Sequence, residues 1–140
     1  MSREFLDTNV LIYCQDLDDP RKKKAAAELV ARLARSRAAV ISTQVLQEYF
    51  SICTRKLGVE PLAVKSQLRH WRNMEVVTIT PELIEDAVDI HILDQISFWD
   101  ALIVAAAASA NCATVWTEDL NPGQVVRGVR VQNPFAAQKH

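Results

Sequence analysis

The strongest constraint in this sequence is one acidic residue, Asp7, which interrupts an apolar stretch near the N-terminus. The letters FLDTNVLIY place this aspartate between two apolar segments. An ionised carboxylate inside a protein is costly unless partners satisfy it, and it therefore indicates a metal, another cation or amide donors nearby. Residues 5–6 are predicted to end a strand and residues 10–13 to begin a helix, with Thr8 and Asn9 as good N-cap types. Asp7 is thus predicted at the carboxyl end of a strand, where open α/β sheets bind ligands, although it could simply cap the helix.

Short apolar strands alternate with helices along the rest of the chain. Further strands are predicted at residues 38–41, 76–79, 115–116 and 129–131, the last of them at an edge of the sheet. Asp19 and Thr80 each precede a proline, and Ser97 precedes the very apolar residues 98–110, so all three are predicted helix N-caps. Such alternation indicates parallel crossovers and a sheet covered by helices on both faces, which is an α/β fold.

The composition indicates one globular domain and excludes some function classes. The chain has 140 residues, 49% of them hydrophobic, and we expect one domain over residues 1–135 with residues 136–140 as a frayed tail. Sixteen basic and 17 acidic residues give a formal net charge of -1, which by itself favours neither nucleic acid nor a membrane surface as partner. A secretion signal is not evident, and the apolar run at residues 101–110 is too short for a membrane span. We therefore expect a cytoplasmic protein without a membrane partner.

Three more acids border apolar segments where a helix starts or a strand ends, namely Glu48, Asp100 and Asp119. Each has a structural alternative. Glu48 could be an exposed helical acid, Asp100 the N3 acid of a capping box, and Asp119 a turn residue. Several oxygen donors without Cys or His would suit Mg²⁺ or Mn²⁺ rather than zinc, and such a site suggests phosphoryl chemistry. The spacing alone does not show that the acids converge.

The same acids lie in segments that resemble the motifs of PIN-domain nucleases, especially the VapC-like toxins of bacterial toxin–antitoxin systems. The segments are FLDTNVLI at residues 5–12, Glu48, WDALI at residues 99–103 and WTEDL at residues 116–120. The resemblance implies a three-layer sandwich with a central parallel β-sheet flanked by helices. It also implies a Mg²⁺- or Mn²⁺-dependent ribonuclease, commonly a homodimer, that is held inactive by an antitoxin segment covering the site.

The resemblance further implies roles for individual residues. The catalytic and metal-binding cluster would consist of Asp7, Glu48, Asp100 and Asp119. Asp7 and Asp100 would be the principal ligands, with Asn9 and Thr117 as supporting polar groups. Glu118 is adjacent to the fourth acid, and Asp119 is preferred because the family pattern is Thr-x-Asp.

We therefore interpret the chain as an endoribonuclease that hydrolyses RNA phosphodiester bonds by metal-activated water, and as the toxin of a toxin–antitoxin pair. A catalytically silent PIN-like module that binds protein or RNA is the alternative. A phosphohydrolase acting on small phosphoesters is disfavoured, because only three glycines are available for phosphate-binding loops.

Other features have structural interpretations that we prefer. The basic residues 21–24 are predicted to form a solvated helix face, although RNA approaching an acidic pocket would need some cations. The helix that begins after Thr80 is predicted to bury Leu83, Ile84, Ala87 and Val88, and His91 on the same face is expected to be partly buried. The tryptophans could stack bases, but we place them in the core or an interface; they are Trp71, Trp99 and Trp116.

Overall fold

The computed structural model of this protein describes residues 2–15 and 18–136, so most of the predicted frayed tail, residues 137–140, lies outside the described residues. The strands are β1 (Arg3–Leu6), β2 (Ala39–Ser42), β3 (Glu75–Val77), β4 (Cys112–Trp116), β5 (Val125–Val126) and β6 (Val129–Gln132). The helices are α1 (Thr8–Tyr13), α2 (Pro20–Arg35), α3 (Thr43–Arg55), α4 (Pro61–Trp71), α5 (Pro81–Asp94) and α6 (Phe98–Ser109).

The strands form one sheet in the order β3-β2-β1-β4-β6-β5. β1 pairs in parallel with β2 on one side and with β4 on the other, so Phe5 lies beside both Val40 and Val115. β5 runs antiparallel to β6, and the other pairings are parallel. The chain moves outward from β1 to β2 and β3 and then returns to the other side of β1 with β4. This reversal creates a crevice at the carboxyl ends of β1 and β4, where open α/β sheets bind their ligands.

Helices flank the sheet, which confirms the predicted α/β architecture. The larger apolar cluster joins the strands to several helices and includes Phe5, Leu33 of α2 and Ile103 of α6. A second cluster joins α5 to α6 and includes Ile90 and Leu102. Because α6 contributes to both clusters, it is apolar around most of its circumference. Within the described residues, no single helix is long and apolar enough to cross a membrane; α5 and α6 meet that criterion only as a pair, bent by 117° at their junction.

The predicted helix starts at Asp19, Thr80 and Ser97 are confirmed. Each side chain accepts a hydrogen bond from a backbone amide in the first turn of its helix, and α2 and α5 both begin with the expected proline. At α1 the N-cap is Asp7 itself, whereas Thr8, one of the predicted N-cap types, is the first helical residue. Asp7 therefore does cap α1, as the structural alternative predicted, and capping does not prevent it from also binding a cation.

The predicted buried face of α5 is confirmed at Leu83 and Ala87 and wrong at Ile84 and Val88. Ile84 and Val88 are 43% and 42% exposed, and His91 is exposed as well. The third buried residue is Ile90, which lies on the same side of the helix as Leu83 and Ala87. α5 carries apolar residues on several sides, so its periodicity does not select one face, and contact with α6 decides which side is buried.

The predicted edge position of the last strand is also wrong. β6 pairs with β4 on one side and with β5 on the other, so β5 occupies the edge. Arg127 and Gly128 connect β5 to β6, and both have positive φ angles, 51° and 79°. Such a two-residue connection is typical of a tight hairpin. A strand of two residues is too short for a periodic pattern, so hydrophobic periodicity could not predict β5.

Candidate active site

Asp7 lies at the junction of β1 and α1 and is 5% exposed. Its Oδ1 accepts a hydrogen bond from the Thr8 amide, and its Oδ2 accepts one from the Thr117 hydroxyl, both at 2.7 Å. These hydrogen bonds lower the pKa of the carboxyl, but burial outweighs them and raises it to about 7. A cation beside Asp7 would stabilise its charged form, because opposite charge offsets the cost of burial.

Thr117 and Asn9 connect Asp7 to Asp119, which follows β4. The Thr117 side chain is fully buried, and its hydroxyl accepts a hydrogen bond from the Asp119 amide at 3.0 Å. Asn9 Nδ2 donates to Thr117 Oγ1 at 3.3 Å and to Asp119 Oδ2 at 3.1 Å. Because β1 and β4 are paired, the residues that follow them are neighbours at the same sheet edge. The two predicted supporting residues thus lie between two predicted acids.

Asp100, the third residue of α6, lies beside these groups. Its amide donates to the Ser97 hydroxyl at 3.1 Å, which is the N-cap bond of this helix. The pKa of the Asp100 carboxyl is raised, first by burial and then by the charges of Asp119 and Glu48, while the hydrogen bond with Ser97 lowers it. One oxygen each of Asp7, Asp100 and Asp119 lies within 4.8 Å of the other two. A single cation could therefore contact all three carboxylates.

Glu48 lines the same cleft, although it does not belong to this group of three. Its Oε1 accepts a hydrogen bond from Thr8 Oγ1 at 2.7 Å, and its Oε2 accepts one from Gln44 Nε2 at 3.2 Å. The sequence pattern did not predict either donor. Gln44 precedes Glu48 by one helical turn, and this spacing could have identified it as a neighbour on the same helix face.

The acids line a cleft of about 510 Å³. Its described lining residues include all four predicted acids and neither Cys nor His, and Lys56 is the one basic residue among them. Mg²⁺ and Mn²⁺ prefer oxygen ligands of this kind. The buried Asp7 carboxylate, which its hydrogen bonds do not fully stabilise, adds an electrostatic reason for a cation here. The residues present therefore fit a hard divalent cation.

Glu118 makes a different set of contacts from those of Asp119. Its Oε1 accepts a hydrogen bond from the Tyr13 hydroxyl and its Oε2 one from Lys22 Nζ, both at 2.9 Å. The Lys22 ammonium also lies 4.8 Å from the centre of the Tyr13 ring and 5.3 Å from that of Phe135. Lys22 therefore departs from the solvated face predicted for the basic run. Since Glu118 already has a cationic partner, Asp119 remains the better candidate for the fourth acid.

The chain also matches a known protein family, which is consistent with the cluster of acids described above. Residues 5–127 match the model of the PIN domain family, and this chain belongs to that family. A comparison with curated proteins gives no match.

Several solved structures have the same fold. The sarcin-ricin loop cleaving toxin VapC20 of Mycobacterium tuberculosis is 23% identical, with a TM-score of 0.63 over 80% of this chain and 86% of that chain. DNA-bound VapBC of Salmonella typhimurium is 18% identical, with a TM-score of 0.68 over 96% and 99% of the two chains. A toxin-antitoxin complex from Klebsiella pneumoniae is 19% identical, with a TM-score of 0.64 over 90% and 94%.

Proposed function

We propose that this protein is a Mg²⁺- or Mn²⁺-dependent endoribonuclease and the toxin of a bacterial toxin–antitoxin pair. The observation that carries the proposal is the convergence of Asp7, Asp100 and Asp119 within 4.8 Å in a chain of the PIN domain family. The solved structures described as a sarcin-ricin loop cleaving toxin and as a toxin-antitoxin complex support the biological setting.

Each part of the cleft has a role in the proposed reaction. Asp7, Asp100 and Asp119 would hold the cation, which supplies activation of a water molecule and stabilises charge on the leaving oxygen. Asn9 and Thr117 fix the orientation of two of these carboxylates through the hydrogen bonds described above.

Glu48 would complete the acid set from the neighbouring helix, and Thr8 and Gln44 keep its carboxylate in place. Lys56, at the border of the cleft, would attract an RNA phosphate toward an otherwise acidic surface. We further propose that an antitoxin covers the cleft, that the protein forms a homodimer and that it is located in the cytoplasm.

Purified protein should cleave ribosomal or other structured RNA with Mg²⁺ or Mn²⁺ and lose this activity with a chelator. Asp119→Asn should lower the cleavage rate by about 100-fold or more, since a metal site supplies several kcal/mol of transition-state stabilisation. Glu118→Gln is the matched control, because it changes the adjacent acid that is paired with Lys22, and it should cost about tenfold at most. Gel electrophoresis of the RNA measures the cleavage rates of both variants. If RNA stays intact under all metal conditions while a partner protein binds tightly, the alternative of a silent binding module is correct.

Expression without a cognate antitoxin should slow bacterial growth, and Asp7→Asn should restore growth at an equal protein level. The reason is that the variant removes the most buried carboxylate of the proposed metal site. Asp19→Asn, which changes a helix cap outside the cleft, should leave the growth arrest in place. Growth curves with immunoblots provide the measurement. Arrest that persists in the Asp7→Asn strain would indicate toxicity by misfolding or sequestration.

A further inference from the structure

We propose that Trp99 is the platform on which one RNA base stacks beside the scissile phosphate. The inference rests on the proposed ribonuclease function and adds a feature of its substrate, namely an unpaired nucleotide next to the cleaved bond. The sequence interpretation placed Trp99 in the core or an interface, and its exposure contradicts the core position.

Trp99 presents a large exposed aromatic surface at the border of the acids. It is the residue before Asp100, and it is 62% exposed, whereas Trp71 is 4% exposed in the core. Trp99 lines the acidic cleft and also a neighbouring cleft of about 310 Å³, which it shares with Gln47 and other α3 residues. An exposed indole forgoes much of the stabilisation that burial of a large aromatic side chain provides. Its position beside the candidate active site therefore points to a ligand.

The surroundings hold Trp99 in place. The ring of Phe98 meets it edge to face, with 5.1 Å between ring centres and 75° between planes. The Trp99 carbonyl accepts a hydrogen bond from Gln44 Nε2 at 3.1 Å, and the same amide group donates to Glu48. Gln44 is 4% exposed, and its Oε1 has no hydrogen-bond partner among the described residues. The Gln44 amide group therefore donates to both the Trp99 carbonyl and Glu48, and so links the two residues. Its Oε1 is buried without a hydrogen-bond partner in the described part of the chain, which costs stability.

An RNA base is the occupant that suits this surface. A phosphodiester bound at the acids would bring its neighbouring nucleosides close to Trp99, because Trp99 lines the same cleft. Lys56 is the one basic side chain among the described residues lining the acidic cleft, so phosphate contacts there supply little affinity. Stacking on an indole is independent of charge and contributes affinity for any base. Gln47 and Ser51, in the smaller cleft, offer polar groups to a base edge.

The stacked nucleotide must be unpaired, because bases inside a duplex are already stacked on their neighbours. Sequence-specific RNA-binding proteins generally contact bases in loops, bulges and single strands, where aromatic side chains can reach them. The substrate class implied by Trp99 is therefore RNA with an unpaired nucleotide adjacent to the scissile phosphate.

A coupling experiment between protein and RNA tests this proposal. Wild type, Trp99→Ala and Trp99→Phe are compared on a set of oligonucleotides that contain the cleaved sequence, each with one abasic nucleotide. On intact RNA, Trp99→Ala should raise KM by about 5- to 150-fold with kcat changed by less than about threefold. Trp99→Phe should recover most of the loss. An abasic nucleotide at one position beside the cleaved bond should raise the wild-type KM equally and have no further effect on Trp99→Ala.

The controls distinguish base stacking from a general loss of apolar surface and from antitoxin binding. Leu93→Ala removes an exposed apolar side chain that lies outside both clefts and should leave KM unchanged. If Trp99→Ala cleaves with the wild-type KM, or if its effect adds to that of every abasic position, the stacking proposal is wrong and the nuclease function stands. Loss of antitoxin binding alone would assign Trp99 to the partner protein and overturn stacking too. Wild type that neither binds nor cleaves RNA overturns the proposed function, and with it the stacking site.

Discussion

Asp7→Asn is expected to stabilise the metal-free protein at pH 8 by about 3 kcal/mol, or roughly 10 °C in Tm. Burial raises the pKa of this carboxyl from 3.8 to about 7 in the folded protein. Between these values the folded state retains a proton that the unfolded state has released, so stability falls as pH rises. The cost is absent below the unfolded pKa and complete above the folded one, where it is on the order of 4 kcal/mol. Asn avoids this cost but leaves the Thr117 hydroxyl without its acceptor, which costs about 1 kcal/mol.

Urea unfolding at pH 5 and pH 8 in the presence of a chelator measures this effect. Wild type should lose stability between the two values, and Asp7→Asn should show a smaller change. Asp19→Asn is the matched control, since it changes a helix N-cap outside the cleft and Asn caps as well as Asp. An Asp7→Asn protein that is less stable than wild type at pH 8, with the same pH dependence, would show that the carboxylate carries no such cost.

Asp100→Asn is expected to abolish most of the stabilisation that Mn²⁺ gives to the folded protein. A cation that binds only the folded form adds about 2.7 kcal/mol at a concentration 100 times its Kd. Losing one of three converging carboxylates should greatly reduce this gain. With chelator, the variant should be as stable as wild type or more stable, because the carboxylates repel one another without their cation.

Thermal melts with chelator and with excess Mn²⁺ provide the measurement. Ser97→Ala is the matched control, because it removes the N-cap oxygen of α6 and leaves the acids intact. This control should lose about 1 kcal/mol under both conditions and keep the full response to Mn²⁺. An Asp100→Asn protein that is destabilised with chelator by about 0.5–2 kcal/mol, yet keeps the full Mn²⁺ response, would make Asp100 a capping residue only.

Local signals in the sequence predicted the helix starts and the alternation of strands and helices. The Asp-Pro and Thr-Pro pairs at Asp19 and Thr80 are independent of tertiary context, because a side-chain cap and a proline act within one turn. The buried face of α5 could be predicted only in part, at Leu83 and Ala87. With Ile84 and Val88 as apolar as the residues that are buried, only the contact with α6 selects the face.

The residues of the candidate site were predicted from sequence motifs. The contacts between them could not be predicted from neighbouring residues in the sequence. Spacing left open whether Asp7, Asp100 and Asp119 converge. Asp7 and Asp119 meet through the parallel pairing of β1 with β4, and Asp100 joins them from α6. The hydrogen bonds of Thr8 to Glu48 and of Lys22 to Glu118 join residues far apart in the chain. Neither pair follows a helical or strand repeat, so no periodic pattern could indicate it.

The position of β4 also determines when the acid site can form during synthesis. Asp7 is made with the first strand, but Asp119 and Thr117 follow the fourth, close to the end of the described chain. A ribosome-bound chain that ends before β4 lacks one of the two strands that pair with β1 and two members of the hydrogen-bonded cluster. The nascent polypeptide therefore cannot assemble the complete cation site until the segment through Asp119 has been translated.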